Sequence, residues 1–390
     1  MPKVIITNKA TKSTKMLPVF MTFIVMGFVD IVGVSTGYIQ QDFQLSNQAA
    51  QLLPMMVFGW FLLLSVPTGI LQDRWGKKTV MNTGIAITAV GMVLPFLHYA
   101  YPVMLAAFIL LGIGNTIIQV AANPLLQEVV PPRKLPGFLS FSQFLKAVTS
   151  LLGPVLATYA AVRWGNWKLV FAAYAALSIV STLWLQGTPI RESLRQAAAS
   201  RATFRSAFGL LGHGFVASMA LAIFIIVGAD VGMNANIQGI LMHLHQIPLE
   251  QASYGISVYF TALLISRFAG AFLLMTISPR PFLNATIAIA VTGLLTLWFS
   301  GSLTAAYAGI FITGIGAGNL FPLIFSAAIA RLPDRANEVS SLMIMAIVGG
   351  ALIPPVMGLL TDTFGMVAAL LVLAGCFLSV AVIAAVRLRK

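Results

Sequence analysis

Apolar stretches of about twenty residues recur along the whole chain and are separated by short polar segments. A helix of that length, which rises about 1.5 Å per residue, crosses the roughly 30 Å of hydrocarbon in a bilayer. The runs do not alternate in polarity as the strands of a membrane barrel do. The pattern therefore predicts an all-α membrane protein with twelve transmembrane helices, at residues 17–41, 50–72, 79–98, 102–127, 137–161, 168–187, 208–238, 251–275, 282–300, 304–330, 338–361 and 366–386.

The composition agrees with this pattern and excludes the soluble and disordered classes. Of the 390 residues, 59% are hydrophobic and 8% are charged, against about 25% charged residues in a typical soluble domain. The mean hydropathy is +0.94. The single cysteine, Cys376, allows no intrachain disulfide, and its apolar neighbours favour a packing role.

The formal net charge of +13 is explained by where the basic residues fall. Lysine and arginine collect in loops on the cytoplasmic side of membrane proteins. On one side of the predicted helices lie 19 of the 23 basic residues, in the N-terminal tail, 74–78, 133–134, 191–205, 280, 331–335 and the C-terminus. We therefore expect a multi-pass protein of a bacterial-type inner membrane with both termini in the cytoplasm, and no nucleic-acid partner.

The two halves of the chain repeat each other at an offset of about 200 residues. The matching positions are Asp30 with Asp230, Ser65 with Ser266, Gly69 with Gly270, Gly112 with Gly314, Pro154 with Pro355 and Gly165 with Gly365. Six helices per copy give both copies the same orientation in the membrane, as in transporters built from parallel repeats. We predict an N-terminal six-helix bundle (1–187), a cytoplasmic linker (188–207) and a C-terminal six-helix bundle (208–390).

The loop between the second and third predicted helices carries a specific motif. GILQDRWGKK resembles the G-x-x-x-D-R-x-G-R-K loop of the major facilitator superfamily, which lies at the same place. The resemblance implies a gating role on the cytoplasmic side, and a simple topology anchor is the alternative. The residues concerned are Gly69, Asp73, Arg74, Gly76 and Lys77.

Within that superfamily the chain most resembles the fucose/glucose–galactose proton symporter family. IIQVAANPLL in the fourth helix, VGADVGMN in the seventh and IVGGALIPPVMGLLTD in the eleventh are similar to family patterns. Gln119 stands where the fucose branch has an acidic proton carrier, and Lys146 stands where the fifth helix of the family has asparagine. Because of these two departures from the family pattern, the resemblance does not identify the exact substrate.

The resemblance implies secondary active symport of a sugar or sugar-like solute with a proton, by alternating access, in the lipid bilayer. We expect a monomer. Sodium coupling and an anionic solute, such as a sugar acid, remain alternatives. A drug–proton exchanger is less favoured because Gly153-Pro154 lacks the surrounding glycines of that class. A membrane sensor that does not transport is a further alternative.

Two acids lie near the middle of predicted helices, where an ionisable group costs at least about 2.5–3.5 kcal/mol on insertion scales. Asp30 is the predicted coupling site. Asp230 shares a helix face with Asn234 and Gln238, which fits either a polar cavity wall or helix–helix hydrogen bonding.

Lys146 lies about 13 Å inside the fifth helix, too deep to reach the interface easily. It shares a face with Gln143 and Ser150. Three roles are open: pairing with Asp30 during coupling, binding an anionic group of the solute, or a structural ion pair. Arg267, nearer the end of its helix, is expected to be an ion-pair partner or an interfacial anchor.

Amide side chains are suited to a sugar because they both donate and accept hydrogen bonds. Aromatic rings could stack on a sugar ring, although packing is the alternative for both aromatic candidates. Asn123 has the alternative of serving the backbone near Pro124. The predicted substrate contacts are Asn115, Gln119, Asn123, Gln143, Asn234, Gln238, Asn319, Trp60 and Tyr38.

No motif for catalysis or cofactor binding is present. The chain lacks a nucleotide-binding G-x-x-x-x-G-K-[ST] loop, and its histidines have no metal-site spacing. We therefore expect no enzymatic activity, no cofactor and no bound metal, and an ion gradient rather than ATP as the energy source.

Overall fold

The fold is that of a computed structural model, which describes residues 9–130, 135–190, 192, 209–273, 277–332 and 335–387. The predicted all-α architecture is confirmed. Spans 1 to 6 are, in order, Lys9–Met26 with Ile31–Asp42; Asn47–Ala50 with Leu52–Phe58 and Trp60–Trp75; Lys77–Leu97; Tyr101–Val129; Leu135–Trp164; and Leu169–Gly187. Spans 7 to 12 are Gly214–His245; Leu249–Leu273; Pro279–Trp298; Leu303–Ala317 with Leu320–Arg331; Ala336–Met345 with Gly349–Phe364; and Val367–Arg387.

Length and composition alone identify eleven membrane spans among the described residues. Leu249–Leu273, which contains Arg267 and several hydroxyl residues, completes the twelve. The predicted end of span 7 was wrong: the helix continues past residue 238 to His245, and its last turn contains His243 and His245. Gln246 ends the helix with a left-handed backbone conformation at φ 53°.

Four of the described spans are interrupted, and span 2 is so at Gln51 and Gly59. Span 1 changes to a 3-10 turn at Gly27–Asp30, and span 11 does so at Ala346–Val348. Span 10 is divided between Ala317 and Leu320. Such interruptions free backbone carbonyls, which need polar partners inside the protein because lipid offers none.

The two halves of the chain, spans 1–6 and spans 7–12, meet chiefly along three pairs: 1 with 7, 2 with 11, and 5 with 8. We call the end where span 1 starts and span 12 finishes the basic end, since Arg74, Lys77 and Arg387 lie there. The other we call the opposite end. Most of the predicted linker 188–207 lies outside the described residues, and the predicted domain limits stay a prediction.

The halves are tightly closed at the opposite end. Asp362, at the end of span 11, accepts hydrogen bonds from the backbone N–H groups of Asn47 and Gln48 at 2.9 and 2.8 Å, and so caps the first turn of span 2. A Cβ on Gly358 would lie 2.7 Å from the carbonyl oxygen of Asn47. Gln51 donates to Asn236 at 3.1 Å across the same interface. No comparable contact is made by Gly69 at the basic end, where an added Cβ would meet nothing within 4 Å.

Candidate coupling and substrate site

Asp30 lies at the interruption of span 1 and touches both halves. Its Oδ2 atom is 2.5 Å from the hydroxyl of Ser150 on span 5. Its backbone carbonyl accepts a hydrogen bond from the Asn234 amide of span 7 at 3.3 Å. Asp30 is partly exposed although it lies deep within a span. The predicted coupling residue is therefore not fully enclosed, and it contacts both halves.

Lys146 lies one turn before Ser150. Its carbonyl oxygen would be 2.7 Å from a Cβ on Gly27, so the two backbones are in close contact at the start of the interruption. Lys146 attracts Asp30 more strongly than any other acid, but no described carboxylate lies within 4.0 Å of it. The predicted pair thus interacts through space in this structure, and a hydroxyl rather than the ammonium group contacts the carboxylate directly.

The C-terminal half has an arrangement of the same kind. Asp230 accepts a hydrogen bond from the hydroxyl of Tyr259 at 2.7 Å, and its strongest charge interaction is with Arg267. Arg267 donates from Nε to the carbonyl of Gly318 at 3.2 Å, in the gap of span 10. Arg267 is exposed, and no described carboxylate lies within 4.0 Å of it. Of its two expected roles, a direct ion pair is therefore not formed among the described residues, and that of an interfacial anchor stays a prediction.

Asn319 occupies the gap itself. Its amide donates to the carbonyl and the hydroxyl oxygen of Ser266 at 2.6 and 2.9 Å, and Ser266 donates in turn to the carbonyl of Ile315 at 2.6 Å. Asn319 is only 4% exposed. In this conformation its amide joins spans 8 and 10, and its predicted contact with a sugar stays a prediction.

Span 4 carries three predicted substrate contacts with amide side chains, and they differ in burial. Asn115 is fully buried, and its amide donates to the carbonyl of Met26 at 2.9 Å, just before the interruption of span 1. Gln119 donates to Asn115 at 2.7 Å and is partly exposed, while Asn123 is exposed. Gln119 and Asn123 can therefore meet a solute in this state.

The predicted residues near the opposite end are enclosed between helices. Asn234 and Gln238 are buried, and a Cβ on Gly33 would lie 1.9 Å from the Asn234 side-chain oxygen. Gln238 donates to the Ser253 hydroxyl at 2.7 Å. Tyr38 is 4% exposed and stacks on Trp167 with ring centres 5.1 Å apart. A role of these three in solute binding stays a prediction, because none is accessible in this conformation.

Two further predicted contacts are not buried. Gln143 on span 5 is exposed, and Trp60 on span 2 is partly exposed. The contact of these two residues with a solute stays a prediction, as it does for Gln119, Asn123 and Lys146.

The basic-end loop is held by two glutamates. Gly76 has φ +83°, which favours glycine, and leads into span 3. Glu192 accepts from the backbone N–H groups of Lys77 and Lys78 at 2.5 and 2.9 Å and so caps that helix. The Lys77 ammonium group pairs with Glu128 at the end of span 4. Arg74 is exposed, and the Asp73 side chain lies outside the described residues.

Sequence reasoning gave too little weight to three residues of this site. Ser150 shares the face of Lys146, so helical spacing pointed to it. Arg267 was visible as a cation within a span but was expected to be an anchor. Tyr259 carries no signal, since only folding brings it to Asp230, 29 residues away.

Comparison with known proteins agrees with this architecture. The Major Facilitator Superfamily model matches residues 19–234. The chain is 26% identical over 389 residues to the glucose/galactose transporter of Brucella abortus biovar 1 (strain 9-941), covering 92% of this chain and 90% of that protein. It is 24% identical over 374 residues to the L-fucose-proton symporter of Escherichia coli (strain K12), covering 87% and 84%.

A solved structure shares the fold. The bacterial homologue of the human lysosomal transporter Spinster, in an inward-facing and unoccupied conformation, matches with a TM-score of 0.76. The match covers 98% of this chain and 95% of that one at 20% sequence identity. Twelve helices in two repeated halves are therefore the arrangement of a known transporter fold.

Proposed function

The chain belongs to the major facilitator superfamily, and we propose that it is a monomeric secondary active transporter that moves a sugar-like solute together with a proton. The sugar class is suggested by the names of the relatives, which are a glucose/galactose transporter and an L-fucose-proton symporter. Proton coupling is suggested by the second of these names and by the carboxylate within span 1.

Asp30 is the observation on which this proposal depends. Its carboxylate accepts from Ser150 and attracts Lys146, and its backbone accepts from Asn234 in the other half. Protonation of Asp30 removes the charge that attracts Lys146, and the same residue also makes the contact to the other half. A proton on Asp30 therefore has different interaction energies in different arrangements of the halves, which is what coupling requires.

The orientation follows from the distribution of positive charge. If the basic end faces the cytoplasm, as the positive-inside rule predicts, this conformation is closed to the outside of an inner membrane. The accessible residues Gln119, Asn123, Gln143 and Trp60 would then meet the solute from the cytoplasmic side. Asn115, Asn234, Gln238, Asn319 and Tyr38 would reach it only in states with different packing of the halves.

Transport into proteoliposomes tests this function. We expect accumulation of glucose, galactose or fucose under an imposed proton gradient, and none under a matched sodium gradient. Asp30→Asn should lower gradient-driven accumulation at least about tenfold and retain exchange of solute across the membrane, because an amide binds but does not titrate. Glu250→Gln, a change of an acid at the start of span 8, is the control and should accumulate solute normally.

Three results would contradict the proposal. Accumulation that follows the sodium gradient would show that sodium, and not the proton, is the coupling ion. Normal accumulation by Asp30→Asn would remove Asp30 from the coupling role. A failure of every solute in both gradients, sugar acids included, would reject transport itself.

A further inference from the structure

Two cations, one from each half, lie within spans that pack against each other, and neither is fully buried. Lys146 is partly exposed on span 5, and Arg267 is exposed on span 8. Spans 5 and 8 pack against each other, and the two side chains repel one another electrostatically. Both lie within membrane spans, where a charge is costly unless something in the protein or its ligand compensates it.

Neither cation has a direct acidic partner among the described residues, since no carboxylate lies within 4.0 Å of either. The two nearby acids are instead contacted by hydroxyl groups, Asp30 by Ser150 and Asp230 by Tyr259. Within the described part of the chain, Arg267 bonds through Nε to the carbonyl of Gly318, and the two terminal nitrogens of its guanidinium group can donate to another acceptor. The cluster thus offers donors from both halves to a ligand.

We propose that Lys146 and Arg267 together bind an anionic group of the transported solute, and that this solute is a sugar acid with one carboxylate. The inference rests on the proposed function and specifies its substrate. It assigns Arg267 to solute binding, a role that the sequence did not suggest.

Charge balance gives the physical reason. Asp30, Asp230, Lys146 and Arg267 sum to zero when all four are ionised, so protonation of Asp30 leaves one positive charge in excess. A monoanion restores neutrality in the loaded site, whereas a neutral sugar leaves an uncompensated charge in a poorly solvated space. The anion also reduces the repulsion between the halves and so favours their closure around it. A guanidinium group binds a carboxylate through two parallel hydrogen bonds.

Binding to the purified full-length protein provides the test. Galacturonate, galactose and galactose 1-phosphate share a ring and differ in charge. We expect galacturonate to bind at least about tenfold more tightly than galactose, and the phosphate ester, which carries more charge, to bind more weakly than galacturonate. Lys146→Gln and Arg267→Gln should each abolish the preference for galacturonate over galactose. Lys168→Gln, at the opposite end, should retain that preference.

The outcomes separate this inference from the proposed function. The wild-type protein could bind galactose as tightly as galacturonate or more tightly, and could also accumulate galactose under a proton gradient. That result would overturn the proposal of an anionic solute but would retain the proposal of sugar–proton symport. Tighter binding of the phosphate ester would assign the site to sugar phosphates rather than sugar acids. The wild-type comparison needs no variant, so poor folding of Lys146→Gln or Arg267→Gln would not prevent a decision.

Discussion

At the scale of single residues, the two acids within the membrane spans accept hydrogen bonds from hydroxyl groups. Ser150 and Tyr259 donate to Asp30 and Asp230, whereas the basic groups interact with these acids only over longer distances. A hydroxyl can bond to a carboxylate or to a carboxylic acid, because it both donates and accepts. Such a partner allows an acid to gain and lose a proton without leaving a buried group unsatisfied.

The sequence revealed these charges but not their partners. Asp30 and Lys146 could be identified because ionisable residues are rare within apolar runs. Tyr259 could not, since its partner lies on another helix and one tyrosine in a span resembles any other. The burial of Asn115 was equally hidden: a polar stripe on a helix gives the same spacing whether it meets a solute or the carbonyl of Met26.

Glu192 is expected to stabilise the loop between spans 2 and 3. Its carboxylate caps the start of span 3, where the helix dipole also favours a negative charge. Glu192→Ala should lower the stability of the N-terminal half by about 1 kcal/mol, as the loss of a cap does. Glu192→Gln retains an acceptor, so its melting temperature should lie between those of the wild-type protein and Glu192→Ala. Identical melting temperatures for all three proteins would contradict this role.

At the scale of elements, the twelve helices were predictable and their interruptions were not. Length and hydropathy determine that a segment spans the bilayer, so even proline-containing spans were recognised. An interruption depends on partners from other helices, as Asn319 shows by bonding to Ser266 of span 8. No periodicity within span 10 contains that information.

Asn319 is expected to hold the two parts of span 10 in place. Asn319→Leu removes two hydrogen bonds to Ser266 and should destabilise the protein by about 1 kcal/mol, the usual scale for polar contacts between membrane helices. Asn284→Leu, an exposed change on span 9, is the matched control. A drop in melting temperature and in transport rate is expected for Asn319→Leu alone. Equal effects of the two changes would mean that the gap needs no such support.

At the scale of the whole molecule, the repeat predicted two halves, but the sequence did not predict which end is closed. That choice depends on contacts between the halves, such as the cap that Asp362 provides to span 2. Closed and open states of a transporter differ by small energies, so a few such contacts decide the balance.

Gly358→Ala should shift this balance. The added Cβ would lie 2.7 Å from the Asn47 carbonyl and 2.8 Å from the Gln48 Cα, and backbone atoms cannot move aside as a flexible side chain can. Spin labels on cysteines placed at the exposed positions Gln48 and Thr363, in a Cys376→Ala background, should move apart. Gly375→Ala, which meets nothing within 4 Å, should leave the distance unchanged.

Retention of the short distance in Gly358→Ala would show that the closed end does not depend on this close approach. The same labels in a protein with Asp362→Asn would then report whether the charged cap alone keeps the halves together.

The central claim is that solute and proton cross together through Asp30, and lumenal pH tests it most directly. Proteoliposomes holding a pH-sensitive dye, with no imposed gradient, receive a solute that the protein binds. The account predicts rapid acidification of the lumen with the wild-type protein and none with Asp30→Asn, although the solute still enters. Solute entry without acidification in the wild-type protein, or equal acidification in both proteins, would contradict it.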